Sequence, residues 1–271
     1  MKAATFTERA CKRGDATDKE IVIMKPGFVK TANYKALQQR FKQVEGRGAR
    51  EAGLLVVYGP YGIGKSELTN RWTVDIGGVF LRAKSTWRTK SMLAELASAL
   101  GLDPRGSVHQ IQSACIAHLG VHQTPIVIDE ADHLFKGAGS KLTIDLMEAL
   151  RDITDVTGIV CVLVGMKQLG LKVDAHGWIG SRVGGDVELK PLDIADVRST
   201  VQAKCEVAVD DGVIEEIHRQ SKGMIRGVLN AIPLIEAWAQ ANSLSKVEAS
   251  QIANKRLVSE FKPAPLGRAG A

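Results

Sequence analysis

Short apolar runs alternate with longer stretches in which apolar residues recur every three or four positions. The runs at 54–58, 78–82, 125–129, 159–164 and 187–189 are rich in β-branched residues and have the length of buried strands. Between them lie helical patterns. Tyr34, Leu37, Phe41 and Val44 share one face of a helix over 33–44, which Gly46 and Gly48 end. Met92, Leu93, Leu96 and Leu100 do the same over 89–100. Ser107 reads as the N-cap of a helix carrying Ile111, Cys115 and Leu119 inward. Residues 140–154 bury Leu142, Leu146, Ala149, Leu150 and Ile153. Strands alternating with helices predict an α/β fold, a parallel sheet with helices on both faces. After Lys190-Pro191 the pattern changes. Residues 193–205, 211–221, 225–241 and 245–261 all read as helices, and no strand run remains. The spacing therefore predicts a core over 25–190 and a small all-helical domain over 191–262. A basic arm (1–24) and a Pro/Gly/Ala tail (263–271) lack periodicity and are expected to be mobile.

One loop in the core carries most of the chemistry. Gly59, Pro60, Tyr61, Gly62, Ile63, Gly64, Lys65 and Ser66 stand between the first strand run and a helical stretch that opens with Glu67. This is G-x-x-x-x-G-K-S in the strand–loop–helix setting of a P-loop. Its glycines let backbone N–H groups approach phosphate oxygens, and the helix N-terminus adds partial positive charge. Lys65 suits the β- and γ-phosphates of ATP, and Ser66 suits Mg²⁺. A glycine-rich turn that binds nothing is the bland alternative.

The run 125–129 ends in Asp129 and Glu130. A P-loop ATPase needs an acid at the end of a neighbouring strand to order Mg²⁺, which suits Asp129. Glu130, next to it, can act as general base toward water. A solvated acidic turn is the alternative here.

Composition narrows the class. The chain has 271 residues, 45% of them hydrophobic, enough for one large or two modest domains. No apolar run approaches the ~20 residues of a membrane span. Four dispersed cysteines without a C-x-x-C, and no signal-peptide pattern, predict a reduced, cytoplasmic protein. The net charge of +6 is unevenly spread. Residues 1–50 hold twelve Lys/Arg and five Asp/Glu, so the remainder is close to neutral. Such an arm favours nucleic acid, or is simply a solvated tail.

A P-loop core followed by helices resembles an AAA+ ATPase. Local sequences narrow the resemblance to transposition ATPases of the MuB type, with TnsC and IstB as wider relatives. They are Ile126-Val-Ile-Asp-Glu-Ala-Asp-His-Leu134, Gly158-Ile-Val-Cys-Val-Leu-Val-Gly165, Lys222-Gly-Met-Ile-Arg-Gly-Val-Leu-Asn230 and Gly27-Phe-Val-Lys-Thr31. The resemblance covers about residues 28–261. It implies an AAA+ core with a helical lid, ATP held between subunits of a ring or helical filament, and target DNA presented to a transposase. It makes Arg226 a lid arginine that contacts the γ-phosphate, and Arg182 a finger acting on the neighbour's ATP. It places Phe28 and Val29 against the adenine. Met166 departs from it, because a polar residue usually stands at this sensor position and a thioether is a poor donor. A helix-turn-helix domain precedes the MuB ATPase, whereas a short basic arm precedes residue 25 here.

DNA contacts are expected from charge. Arg82, Lys84, Arg88 and Lys90 surround Trp87, with no acid between Ile76 and Leu93. In the resembled family this region touches the DNA backbone. Lys136 and Lys141 form a second expected contact with duplex DNA. Trp87 itself reads as a packing residue. Two other functions fit the same motifs: a helicase loader or replication initiator, and a nucleotide-switched scaffold that binds no DNA.

Overall fold

The computed structural model describes residues 24–137, 140–253 and 255–258. The basic arm to residue 23, the tail, and the end of the last expected helix lie outside these. Five strands form one parallel sheet: β1 (Leu54–Gly59), β2 (Val79–Arg82), β3 (Ile126–Asp129), β4 (Cys161–Met166) and β5 (Val183–Glu188), in the spatial order β2-β3-β4-β1-β5. Successive side chains of a strand face opposite ways, so each run feeds two cores. Leu54, Val56, Ile126, Ile128, Cys161 and Leu163 pack under α3 (Thr89–Ala99), α4 (Val108–His122) and α5 (Lys141–Thr157). Leu55, Val57, Val127, Val162 and Val164 pack under α1 (Ala32–Glu45) and α2 (Lys65–Asp75). This two-sided burial explains why the strand runs are continuously apolar. Trp72 of α2 is fully buried and meets Phe41 of α1 edge-on at 4.9 Å. Removing either ring would cost about 3–5 kcal/mol.

Local signals place the helix ends. Ser107 accepts from Gln110 N at 3.2 Å, while its own N–H donates to Gln110 Oε1 at 2.9 Å, a reciprocal N-cap for α4. α5 runs to Thr157, three residues past the expected end, because Gly158 (φ 76°) is the first residue to take the left-handed turn. β5 starts four residues earlier than its apolar run. Gly184 and Gly185 hide the strand from periodicity. A Cβ at Gly184 would collide with the Ala52 carbonyl, so glycine is what lets the chain pass there.

The C-terminal part differs from the expectation of helices alone. α8 (Ile194–Lys204), α9 (Asp211–Ser221) and α10 (Ile225–Ala241) enclose a separate core of Val197, Val201, Val213, Ile217, Val228, Ile232 and Ile235. Between them, β6 (Ala208–Val209) and β7 (Lys246–Val247) form a two-residue parallel pair. The helix expected over 245–261 is, among the described residues, only α11 (Ala249–Ile252), capped by Glu248. The ladder consumes residues 246–247, and Leu257 and Val258 close the small core without a helix. Two short helices, α6 (Leu169–Asp174) and α7 (Gly177–Gly180), had no periodic signal.

The two parts meet along the segment before α1. The Asn33 amide donates to Lys190 O at 2.7 Å, and Lys190 N donates back to Asn33 Oδ1 at 3.0 Å. Asp196 of α8 accepts from Ala32 N, capping α1 from the other part of the chain. Partial burial pushes the Asp196 carboxyl up. Lys25 N donates to Lys204 O at 3.0 Å.

Candidate functional site

All five strands are parallel, so their C-terminal ends share one edge, and the predicted chemistry collects there. β1 ends at Gly59 and α2 begins at Lys65, with the glycine-rich loop between. Gly62 (φ 76°) and Gly64 (φ 80°) both take left-handed backbone, which turns the loop into the helix without a side-chain penalty. Lys65 donates to Gly59 O (2.9 Å) and Pro60 O (2.8 Å), and lies 3.4 Å from Met166 Sδ. Burial lowers its pKa, against the opposing pull of Asp129 and Asp132. Ser66 follows it on the first turn of α2, and Glu67 sits beside the helix N-terminus.

Asp129 ends β3, is 2% exposed, and stands opposite Arg82 in the β2–β3 register. Its Oδ2 is buried without a hydrogen-bond partner; the nearest guanidinium nitrogen, Arg82 Nε, is 3.8 Å away. A buried carboxylate oxygen left open fits a cation ligand. Among the described residues no three His, Cys, Asp or Glu side chains form a metal cage. The arrangement matches Mg²⁺, which takes one or two protein oxygens and completes its shell with water and phosphate. Asp129 and Ser66 are the residues that would hold it. When bound, it would neutralise charge on the phosphates.

Glu130 follows in a left-handed conformation (φ 52°), an uncommon backbone for a non-glycine residue. Its carboxylate is 46% exposed and lies 2.9 Å from an Arg82 guanidinium nitrogen and 3.3 Å from His133 Nε2. Arg82 was expected to face DNA among unopposed cations. No acid stands near it in sequence; the neighbouring strand supplies Glu130. Lys84 is likewise paired, with Glu95 of α3 at 2.7 Å. Trp87 is buried and donates to the same Glu95, so it packs, as expected. Arg88 and Lys90 are exposed, as are Lys136 and Lys141 after β3. The two basic segments leave adjacent strands at the nucleotide end of the sheet.

The helical part closes directly over the loop. Arg226 N donates to Gly62 O at 3.0 Å, and a Cβ on Gly64 would strike Ile225. A cavity of about 440 Å³ lies between the two, lined by Phe28, Val29, Gly62, Ile63, Glu67 and Arg226 among others. That volume falls within the range of small-ligand pockets. Gly59, Pro60, Tyr61, Lys65 and Ser66 are outside its lining, and Tyr61 is 77% exposed. Ile225, Leu229, Thr200 and Lys204 also line it and were not anticipated. No motif marks Thr200 and Lys204, and Ile225 and Leu229 fall in the Lys222–Asn230 stretch without an assigned role; the packing of α8 and α10 brings all four in. Arg226 stands in the first turn of α10, whose N-cap Met224 makes no side-chain cap. A cation there opposes the helix dipole, and both charges suit an anion.

Arg182 lies elsewhere. It precedes β5, at the N-terminal ends of the strands, where its carbonyl accepts from Leu54 N. Its guanidinium pairs with Asp155 of α5 at 3.4 Å, and its Nε is buried without a partner.

Residues 48–171 match the family described as an AAA domain. This region is an AAA-type P-loop domain. The described residues have the AAA+ fold, with the five-stranded parallel sheet and the trailing helices. The Aeropyrum pernix ORC2 protein, solved in ADPNP–ADP complexes, superposes with a TM-score of 0.62 at 15% identity, over 86% of this chain and 69% of that one. The Aeropyrum pernix ORC1 protein, solved in complex with DNA, gives 0.54 at 17% identity over 82% and 63%. The Thermotoga maritima RuvB Holliday junction branch migration motor gives 0.56 at 16% identity over 81% and 65%. The chain thus spans less than two thirds of the ORC1 and RuvB chains. Identities this low establish the fold and no more. No curated protein matches the sequence. Among the described residues no helix is long and apolar enough to cross a membrane.

Proposed function

We propose that this chain is an ATP-dependent, DNA-binding ATPase that assembles on duplex DNA and presents target DNA to a transposase. The observation that carries the DNA-linked ATPase is the Arg82–Glu130 contact of 2.9 Å. It joins the residue suited to activating water to the segment bearing Lys84, Arg88 and Lys90. The Arg82 guanidinium competes with water for the Glu130 carboxylate. DNA phosphates at the β2–α3 segment compete for Arg82, release Glu130, and so link hydrolysis to DNA. The transposase role rests on the local sequence resemblance. A replication-initiator or helicase-loader role is the second reading, favoured by the ORC-type structural neighbours.

In the mechanism, the loop amides and Lys65 hold the phosphates, and Glu130 takes the proton from attacking water. Arg226 contacts the γ-phosphate from its own chain, and Arg182 contacts it from a neighbouring one. Phe28 and Val29 wall the base. The test begins with Glu130→Gln, which is expected to bind ATP normally, lose about 10²–10⁴-fold in hydrolysis, and stay on DNA. Arg82→Ala is expected to raise basal hydrolysis and flatten its stimulation by duplex DNA. Replacing Lys84, Arg88 and Lys90 together should lower the salt slope of DNA binding by roughly 0.9 per true contact. Wild-type hydrolysis in Glu130→Gln sinks the base assignment, and an unchanged slope clears the segment of DNA. Capture of a transposase or of a replicative helicase by the ATP-bound protein separates the two readings.

A further inference from the structure

The end of β4 carries a residue that the nucleotide chemistry does not account for. The β1–β4 register runs as far as Gly59 opposite Met166, whereas the β3–β4 register stops at Ile128 opposite Leu163. Past Leu163, then, β4 has a strand on one side only. A side chain fills the gap. Asp132, from the 3-10 turn after β3 (Ala131–Leu134), accepts the Met166 N–H on Oδ2 at 2.6 Å. Its Oδ1 accepts from Lys172 of α6 at 2.7 Å, and the side chain is 19% exposed. Gly165 leaves room for it, since a Cβ there would overlap Asp132 Oδ2. Met166 in turn sets its thioether 3.4 Å from the Lys65 ammonium.

We infer that Asp132 is a positioning residue of the ATPase site: it stands in for the missing strand beside β4 and fixes Met166 against Lys65. This rests on the ATPase reading above. The arrangement has a chemical logic. Lys65 is held by two carbonyls and one thioether, and a thioether is a weak acceptor. Phosphate can therefore draw the ammonium off Met166 easily, provided Met166 does not intrude further. The tip of β4 must stay in place while the lysine moves. Asp132 keeps it there, and Lys172 balances a carboxylate that would otherwise repel phosphate. A misplacement of about 1 Å near reacting groups can cost on the order of 10²-fold in rate.

The experiment compares Asp132→Ala, Asp132→Asn and Lys172→Met in the full chain. Three measurements are made: steady-state ATP hydrolysis, equilibrium binding of a fluorescent ATP analogue, and amide exchange over residues 161–168. Asp132→Ala is expected to lower kcat about 10- to 100-fold while nucleotide affinity changes less than about 3-fold. Exchange at the end of β4 should rise. Asp132→Asn keeps an acceptor for the Met166 N–H and should recover most of kcat. Lys172→Met should weaken nucleotide binding more than kcat, because it leaves the carboxylate charge unbalanced. Wild-type kcat in Asp132→Ala, or unchanged exchange at β4, overturns the inference. So does an equal loss in kcat and affinity. If Asp132→Ala does not fold, Asp132→Asn at the activity of a misplaced site overturns it as well. A wild-type chain that binds the analogue but never hydrolyses ATP sinks the ATPase reading itself, and shows this before any substitution is made.

Discussion

The two ends of the sheet use the same residue types in opposite ways. At the N-terminal ends of the strands, Arg47 is satisfied by backbone. Its guanidinium donates to Val44 O (3.0 Å), Arg50 O (2.7 and 3.0 Å) and Gly158 O (2.8 Å). Arg50 reaches Val156 O at 2.8 Å. These arginines tie the end of α1 and the loop after it to the end of α5. At the C-terminal ends the groups are left incomplete. Asp129 Oδ2 has no hydrogen-bond partner, Lys65 rests partly on a thioether, and Arg226 opposes its own helix dipole. A finished network stabilises; an unfinished one is ready for a ligand. Arg182 breaks the division. It sits at the N-terminal end, yet its Nε is buried unpartnered and its contact with Asp155 is a loose 3.4 Å.

The largest effect should come from that exception. If Arg182 serves the neighbouring subunit, Arg182→Ala should lose about 10³-fold or more in hydrolysis, while ATP affinity of the monomer holds. Mixing it with Lys65→Ala should restore part of the rate, because one variant keeps a pocket and the other a finger. No recovery in mixtures shown to co-assemble counts against action in trans, and full activity of Arg182→Ala alone removes its role.

Lys65→Ala on its own tests whether the unfinished end is a phosphate site. Loss of a charged hydrogen bond worth roughly 1.5–3 kcal/mol should weaken ATP binding about 10- to 100-fold. Titration calorimetry reads this directly. The thermal midpoint without nucleotide should hardly move, since beyond its own loop the lysine meets only the Met166 thioether, a weak acceptor.

Arg47→Met should do the reverse. Carbonyls left without their donor cost about 1–3 kcal/mol, which lowers the thermal midpoint by several degrees and leaves ATP affinity unchanged. A change in nucleotide binding with no loss of stability would erase the contrast between the ends.

A further effect concerns pH. Burial pushes Cys161, at the N-terminal end of β4, up to about 12, and Cys115 and Cys205 up to about 11. Unfolded thiols titrate near 8.5. The folded state therefore holds more protons above that value. Stability from these groups is complete below about pH 8.5 and declines as pH rises toward 11–12. Denaturation midpoints that stay flat from pH 8 to 10 would contradict the burial of these thiols. Native-state maleimide labelling of these three should be slow at pH 7.

Much of this was legible in the residues. The loop from Gly59 to Ser66 announces itself because glycine, lysine and serine at fixed spacing answer to local backbone geometry. Asp129 and Glu130 are legible because a buried strand rarely ends in two acids without reason. Helix faces such as Tyr34-Leu37-Phe41-Val44 follow from a 3.6-residue period. The glycine-bearing start of β5 and the two-residue ladder of β6 and β7 were missed because they carry no period long enough to register.

What the sequence determined by itself was whatever depends on neighbours in the chain: the elements, the phosphate loop, the acidic strand end. The fold alone decided which distant residues meet. Parallel register put Arg82, an expected DNA cation, beside Glu130, the acid proposed to activate water. The early end of β3–β4 pairing left a backbone N–H for Asp132 to take. Packing of α10 on the loop brought Ile225 against Gly64. Local spacing fixes dihedral preferences within a few residues, whereas such contacts join groups tens to more than a hundred and fifty positions apart. Only the closing of the sheet and its two cores brings those groups within a bond length of each other's reach.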